Sequence, residues 1–218
     1  MKAFFRVAVV VSLISTGSLF ATSNRITSAD GSRSLVVNQA GSAVYHSGNG
    51  TITIELSSSG MKIGDFELRH EPFASHEGGS RHHLTVVNHG SAIDAEVELA
   101  ENQVSLEEKN FDALKAELSR FARTNEGLLL QEAAALIAEQ KAQGLDIAPP
   151  GTKGGVHAEW DGWSCTANVL NGVAAGAAMV GGCGTPACGP AVVYCCTSGI
   201  AWYGSSLIGI SQNCNFLI

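Results

Sequence analysis

Charge is absent from a long stretch of this chain. Residues 162–218 contain no Asp, Glu, Lys, Arg or His. Because soluble surfaces ordinarily carry charges of both signs, such a tract excludes an ordinary solvated domain. Cysteine is absent from residues 1–161, and all 6 cysteines lie in the uncharged tract. The first part of the chain is therefore suited to water, and the uncharged part is suited to an apolar environment.

Basic residues are outnumbered by acidic ones, and this limits the possible partners. The chain has 13 Lys and Arg against 20 Asp and Glu, and its formal net charge is −7 at pH 7. Phosphate binding requires a basic face, so we expect no nucleic-acid partner. The acidic part can instead offset the low solubility of the uncharged part.

Catalytic motifs are missing as well. Ser58, Ser59 and Ser91 have no G-x-S-x-G context, and no cysteine is placed for a Cys/His dyad because all six are expected to be bridged. Glu96 and Glu98 share the wet face of a predicted strand, and no glycine-rich loop is suited to phosphate. We therefore expect a protein that is not an enzyme and that uses no cofactor.

The first residues resemble an export signal. Lys2 and Arg6 precede an apolar run at 7–14, and small residues at Ala21 and Ser23 suit cleavage. The run is too short to span a bilayer comfortably. Export by a Sec-type signal makes the cysteines disulfide candidates. We expect a secreted protein, either free or associated with a membrane.

Alternating apolar and polar residues follow the signal. They recur at 51–56, 63–68, 82–87 and 93–99, with Gly-, Ser- and Asn-rich joints between them. Alternation with one polar face predicts an antiparallel β meander that has one wet side.

The period becomes helical near Val104. Apolar residues then recur at helical spacing as far as Phe121, and Gly127 is expected to interrupt the pattern. A second, Ala-rich helix is predicted at 128–143. The Pro-Pro-Gly sequence in 149–156 stops any helix and marks a linker.

These patterns predict an α+β protein. An N-terminal antiparallel β meander is followed by helices and then by a small disulfide-bonded module, which we expect to be a helical hairpin. The predicted parts are a signal peptide (1–23), a β-rich region (24–103), a helical region (104–148), a linker (149–156) and an apolar six-cysteine module (157–218).

Five of the 7 histidines cluster around one predicted hairpin, at His70, His76, His82, His83 and His89. If the two strands pair, His70 comes close to His82 or His83. His76 would lie above this group. Neutral imidazoles so grouped could bind zinc or copper, or titrate together near pH 6. No H-E-x-x-H or Cys/His spacing accompanies them, so we favour a solvated polar loop and expect no metal site.

The cysteine spacing is mirrored about a turn at Gly189 and Pro190. Cys165 and Cys183 enclose 17 residues, and Cys196 and Cys214 also enclose 17. A straight helical arm of this length is roughly 27 Å long, which is too far for a bridge within one arm. Six cysteines allow 15 pairings. The mirrored spacing of two antiparallel arms predicts Cys165–Cys214, Cys183–Cys196 and Cys188–Cys195.

The two arms differ in their helical signals. In the first arm, Gly172-xxx-Gly176 and Ala174-xxx-Ala178 give small faces that allow close packing. The second arm starts at Pro190, which suits a first helical position. Its β-branched and aromatic residues leave a strand pair open as an alternative.

The apolar module also suggests contact with lipid, because a continuous apolar surface of this size is poorly suited to water. Trp160, Trp163, Trp202 and Tyr203 are expected to lie at a membrane interface. A permanent anchor is an alternative, but neither arm is followed by the Lys or Arg that usually marks the cytoplasmic side.

The layout of a signal peptide, a long hydrophilic region and a compact Gly/Ala- and Cys-rich module at 157–218 resembles that of the halocin C8-like bacteriocin precursors. It is also similar to the hydrophobic toxin precursors related to the sporulation-delaying protein. The first resemblance implies that the C-terminal module is released as a toxin that acts on a target-cell membrane. It also implies that the N-terminal region associates with the module as an escort or immunity part. The alternative from another class is a cell-surface binding protein with a β-rich ectodomain and a C-terminal anchor.

Overall fold

The computed structural model describes residues 25–38, 41–76, 79–100, 108–143, 162–184 and 192–214. The expected signal peptide and linker lie outside these ranges, as do Cys188 and Trp160. Trp163 lies in a described helix, but its side chain is outside the described part, and the same holds for His76 in its strand.

In the described part of the chain, nine strands form one antiparallel sheet in which each strand pairs with its neighbours in sequence. This order is the meander that the alternation predicts. In the fourth strand, the apolar residues Ile52, Ile54 and Leu56 are buried and the residues between them are exposed. The strands are β1 (Arg25–Thr27), β2 (Ser34–Val37), β3 (Ser42–Ser47), β4 (Gly50–Leu56), β5 (Gly60–Ile63), β6 (Phe66–His76), β7 (Gly79–Asn88), β8 (Ser91–Ala100) and β9 (Glu108–Lys109).

Helices make up the rest of the described residues, and the fold class is α+β as the sequence predicts. The final two helices form an antiparallel hairpin, so the second arm is a helix and not a strand. The four helices of the described part are α1 (Phe111–Phe121), α2 (Asn125–Ala142), α3 (Gly162–Gly184) and α4 (Val192–Asn213).

The break between α1 and α2 differs from the expected one. The chain turns between Phe121 and Asn125, so Gly127 lies inside α2 instead of interrupting the helical pattern. Thr124 caps α2, and its hydroxyl accepts a hydrogen bond from the Gly127 N–H at 3.1 Å. A Cβ at Gly127 would overlap the Phe121 carbonyl oxygen. The glycine is therefore required by the close approach of the end of α1.

The start of the helical region also differs from the prediction. Residues 108–109 form β9, which pairs with β8, and α1 begins only at Phe111. Val104 lies outside the described residues. The apolar face of α1 nevertheless has the predicted period, because Leu114, Leu118 and Phe121 are all buried.

Helix α3 lies in the centre of the core. Within 165–180, every residue except Asn171 and Ala178 is buried. The helix packs against α4, against α1 and α2, and against strands β2 to β4. A helix that is covered on all sides must be apolar on all sides, which explains why this part of the chain has no charge.

Helix α4 is covered less completely than α3. It packs on α3 and on β6, and Ile200, Tyr203, Leu207 and Ile210 are buried. Trp202 is 41% exposed and Ile208 is 51% exposed. None of the helices in the described ranges has both the length and the apolarity that a bilayer crossing requires.

Disulfides close the hairpin at both ends. The Cα atoms of Cys165 and Cys214 are 4.8 Å apart, and those of Cys183 and Cys196 are 4.4 Å apart. These are two of the pairs that the mirrored spacing predicts. Cys195 is also disulfide-bonded, and its expected partner lies outside the described residues. Disulfides of this kind indicate an extracellular location.

The two described disulfides should contribute unequally to stability. Cys165–Cys214 has a sequence separation of 49 and Cys183–Cys196 one of 13. On the chain-entropy model, replacing the first pair by Ser should lower the free energy of unfolding by about 4 kcal/mol. Replacing the second pair should lower it by about 3 kcal/mol. Urea unfolding without reductant measures both values, and a larger loss from the second pair would contradict this order.

Candidate functional site

The interface between two parts of the protein is the candidate functional site. We call α3 and α4 (residues 162–214) the hairpin, and the sheet with α1 and α2 (residues 25–143) the N-terminal body. The body contains no cysteine, so no disulfide can join it to the hairpin. The hairpin is thus closed covalently on itself and held on the body by non-covalent contacts and by the intervening chain.

Glycines let α3 approach the sheet closely. A Cβ at Gly172 would lie 2.9 Å from Ile210 Cδ1 and 3.3 Å from Leu56 Cδ2. A Cβ at Gly176 would lie 2.9 Å from the Met61 sulfur. The Gly-xxx-Gly face that the sequence predicts to be a packing face therefore fits between α4 and strands β4 and β5.

Glycines in α4 have a similar role, but each faces a different neighbour. A Cβ at Gly199 would lie 2.9 Å from the Met179 Cα atom, so here the backbones of the two helices nearly touch. A Cβ at Gly204 would lie 2.6 Å from His70 Cε1 on the sheet. These contacts are not among those predicted from the sequence. The sequence signal for these contacts is that glycine recurs every five residues in α4. This spacing places successive glycines on different faces of the helix.

A pair of buried histidines lies beneath α4. His70 on β6 and His82 on β7 both point into the core and are 2% and 8% exposed. His70 Nε2 and His82 Nδ1 are 2.7 Å apart, so one ring donates a hydrogen bond to the other. The Tyr203 ring covers His70 edge-on, with centroids 6.2 Å apart. Strand pairing thus produces one of the contacts that the sequence offers as alternatives.

Burial keeps this pair uncharged. Together with a smaller contribution from the nearby His82, it lowers the pKa of His70 from 6.5 to about 4. Burial also lowers the pKa of His82. Both imidazoles are therefore neutral at pH 7, where each can offer one donor and one acceptor.

Two other histidines of the predicted cluster have described side chains, His83 and His89, and neither joins this pair. His83 is the next residue after His82 and so points to the opposite face of the sheet, where its Nε2 lies 3.7 Å from Asp94 Oδ1. The position of the His76 side chain is outside the described part. Among the described residues, no group of three His, Cys, Asp or Glu side chains is placed to hold a metal ion.

Tyr203, expected at a membrane interface, instead lies in the core. Its side chain is fully buried, and its hydroxyl donates a hydrogen bond to the Leu68 carbonyl at 3.1 Å. Burial, with a smaller contribution from Glu67, raises its pKa well above the ordinary value. In this packed state Tyr203 lies on the face of α4 that meets β6, and its contact with a membrane stays a prediction.

Trp202, the neighbouring residue, lies at the surface. It borders an apolar groove of about 430 Å³ between α2 and α3, which is lined mainly by alanine and glycine. Lys141 Nζ lies 5.8 Å from the centroid of the Trp202 ring and donates to Asn171 Oδ1 at 3.0 Å. Of the four residues expected to contact a membrane, Trp202 is therefore the one with a described, exposed side chain.

Neither family models nor curated proteins nor solved structures gave a match to this chain. The interface itself is therefore the basis for a functional proposal. Its main features are a covalently closed, uncharged hairpin, a charged body that covers it, and a buried histidine pair between them.

Two glycine substitutions should distinguish the effect of close packing on stability from the effect of helix propensity. Gly199→Ala should lower the free energy of unfolding by about 1–3 kcal/mol, because the new methyl group meets the α3 backbone. Gly181→Ala is the matched control, since a Cβ there meets nothing within 4 Å. It should raise the free energy of unfolding by about 0.5–1 kcal/mol through helix propensity. Urea unfolding measures both, and equal effects of the two changes would contradict the close packing.

Proposed function

We propose that the protein is a secreted precursor of a membrane-active, bacteriocin-like antimicrobial peptide. The hairpin is the toxin, and the N-terminal body is its escort or immunity part. The proposal depends chiefly on one observation. The charge-free hairpin is cross-linked at both of its own ends, while a body without cysteine covers its apolar surface.

The disulfides support a hairpin that keeps its shape once it leaves the body. They hold the two ends of α3 against the two ends of α4. A small module without a large core depends on such bridges. Because the bridges lie within the hairpin, a cut in the segment before Gly162 would release it without breaking a disulfide.

Burial of α3 supports the membrane part of the proposal. Release would remove α1, α2 and strands β2 to β4 from the surface of α3, a helix whose apolar residues are buried here. An uncovered apolar surface without compensating charge favours lipid over water. Trp202, already exposed, is the type of residue that lies at the boundary of a bilayer.

The composition of the body supports the escort role. All 33 charged side chains of the chain lie before the hairpin, with an excess of acidic ones. Those of strands β4 to β8 alternate onto the outer face of the sheet, while the inner face packs on the hairpin. Helix α1 packs directly on α3, and its apolar face includes Leu114 and Leu118. The body thus supplies solubility on one side and cover on the other.

Vesicle leakage tests the toxin and the escort together. A specific protease site placed in 149–156 allows the purified chain to be cut once. The intact chain should release little dye from anionic vesicles, whereas the separated hairpin should release at least tenfold more at equal concentration. Adding the body back should suppress the leakage, because it covers the same apolar surface.

Two observations would contradict this proposal. One is a separated, oxidised hairpin that releases no more dye than the intact chain. The other is mass spectrometry of culture supernatant and membranes that recovers only intact, membrane-associated chain, which would favour a surface protein. Leu114→Asp in the added body should abolish suppression because it puts a charge on the covering face. Ala113→Asp, at an adjacent exposed position, is the matched control.

A further inference from the structure

The buried histidine pair gives the docking interface a dependence on pH. We infer that His70 and His82 hold the hairpin on the N-terminal body at neutral pH and weaken its docking in acid, so that low pH promotes release. This inference rests on the proposed function, because it names the condition that controls the same interface.

The hydrogen bond between the rings is the first reason. A nitrogen accepts a hydrogen bond only while it is unprotonated, and His70 Nε2 is 2.7 Å from His82 Nδ1. If both rings were protonated, neither of these nitrogens could accept. Two positive charges would then lie side by side in a dry interface. The docked state therefore tolerates no more than one added proton at this contact.

The cover that α4 provides is the second reason. Gly204 lies so close to the His70 ring that a single methyl group would not fit between them, and Tyr203 covers the ring edge-on. Full hydration of the His70 ring requires this part of α4 to move away. Because α4 belongs to the hairpin and His70 belongs to the body, hydrating this ring means opening the interface.

In the described part of the chain, the charged residues of the elements around the pair lie away from it. Helix α4 has no charged residue, and among its described side chains the titratable Tyr203 phenol faces the pair and is hydrogen-bonded to the Leu68 carbonyl. The charged residues of β5, β6, β7 and β8 point to the opposite face of the sheet. The buried Glu117 of α1 accepts a hydrogen bond from Asn88, about 20 Å along β7 from His82.

The sign of the effect follows from the protons that each state binds. Burial lowers the pKa of His70 from 6.5 to about 4 in the docked state, and exposure would restore the ordinary value. The open state thus binds more protons below pH 6.5. Docking is at full strength above pH 6.5 and is lost as the pH falls towards 4. For His70 alone, the linkage corresponds to about 20-fold weaker docking at pH 5 than at pH 7.

Hydrogen exchange in the intact chain measures this weakening. Protection of the α4 amides, corrected for the intrinsic pH dependence of exchange, should fall about 20-fold or more between pH 7 and pH 5. The double variant His70→Gln, His82→Gln should lose this pH dependence, because Gln does not titrate. His83→Gln, on the outer face, should retain it. An unchanged wild-type protection, or an equal fall in the double variant, would overturn the inference.

A second measurement does not depend on a variant that folds. In the wild-type chain, the His70 Cε1 proton resonance should shift with a midpoint near pH 4 while α4 is docked. A midpoint near pH 6.5 would overturn the inference.

The vesicle experiment keeps this inference distinguishable from the proposed function. Loss of α4 protection in acid from a hairpin that never permeabilises vesicles would overturn the toxin role alone. Leakage by the separated hairpin together with pH-independent protection of α4 would overturn the acid dependence alone.

Discussion

The burial of α3 on all sides is the constraint on which the structure depends. A helix that contacts a sheet, two helices of the body and its own hairpin partner cannot carry a charge on any face, because an unpaired buried charge would cost several kcal/mol. Its neighbours must approach it closely, which explains the glycines at Gly172, Gly176 and Gly199. The open meander of nine strands supplies one side of this enclosure in the described structure, and α1 and α2 supply another.

Disulfides stabilise the hairpin itself, whereas non-covalent contacts hold the hairpin on the body. The described disulfides lie within the hairpin, and the surface between hairpin and body depends on apolar burial and a few polar contacts. Apolar burial by itself varies little with pH. The polar contacts that can vary are therefore the places where conditions could act on this interface.

The histidine pair is such a contact. Its two rings share a hydrogen bond that cannot form once both are protonated, and burial favours their neutral forms. Leu, Val or Phe at these positions would pack without this dependence. A titratable pair beneath α4 links the protonation of the body to the attachment of the hairpin, which is where a secreted precursor of the kind proposed would need control.

Local patterns in the sequence determined a large part of this fold. Alternation at 51–56 and 82–87 fixed strands and their inner faces, because neighbouring side chains in a strand must point to opposite sides. The mirrored cysteine spacing predicted the two disulfides that lie within the described residues, since equal arm lengths align the ends of an antiparallel hairpin.

Tertiary structure decided what those elements bury. The sequence could not show that the uncharged tract is the core, because an apolar helix is equally consistent with lipid and with a protein interior. It placed Tyr203 at a membrane, whereas the face that α4 turns to β6 puts it beneath the surface beside His70. The sequence also did not distinguish between His82 and His83 as the neighbour of His70. The strand register separated them, because one residue of shift along a strand exchanges the inside of the sheet for the outside.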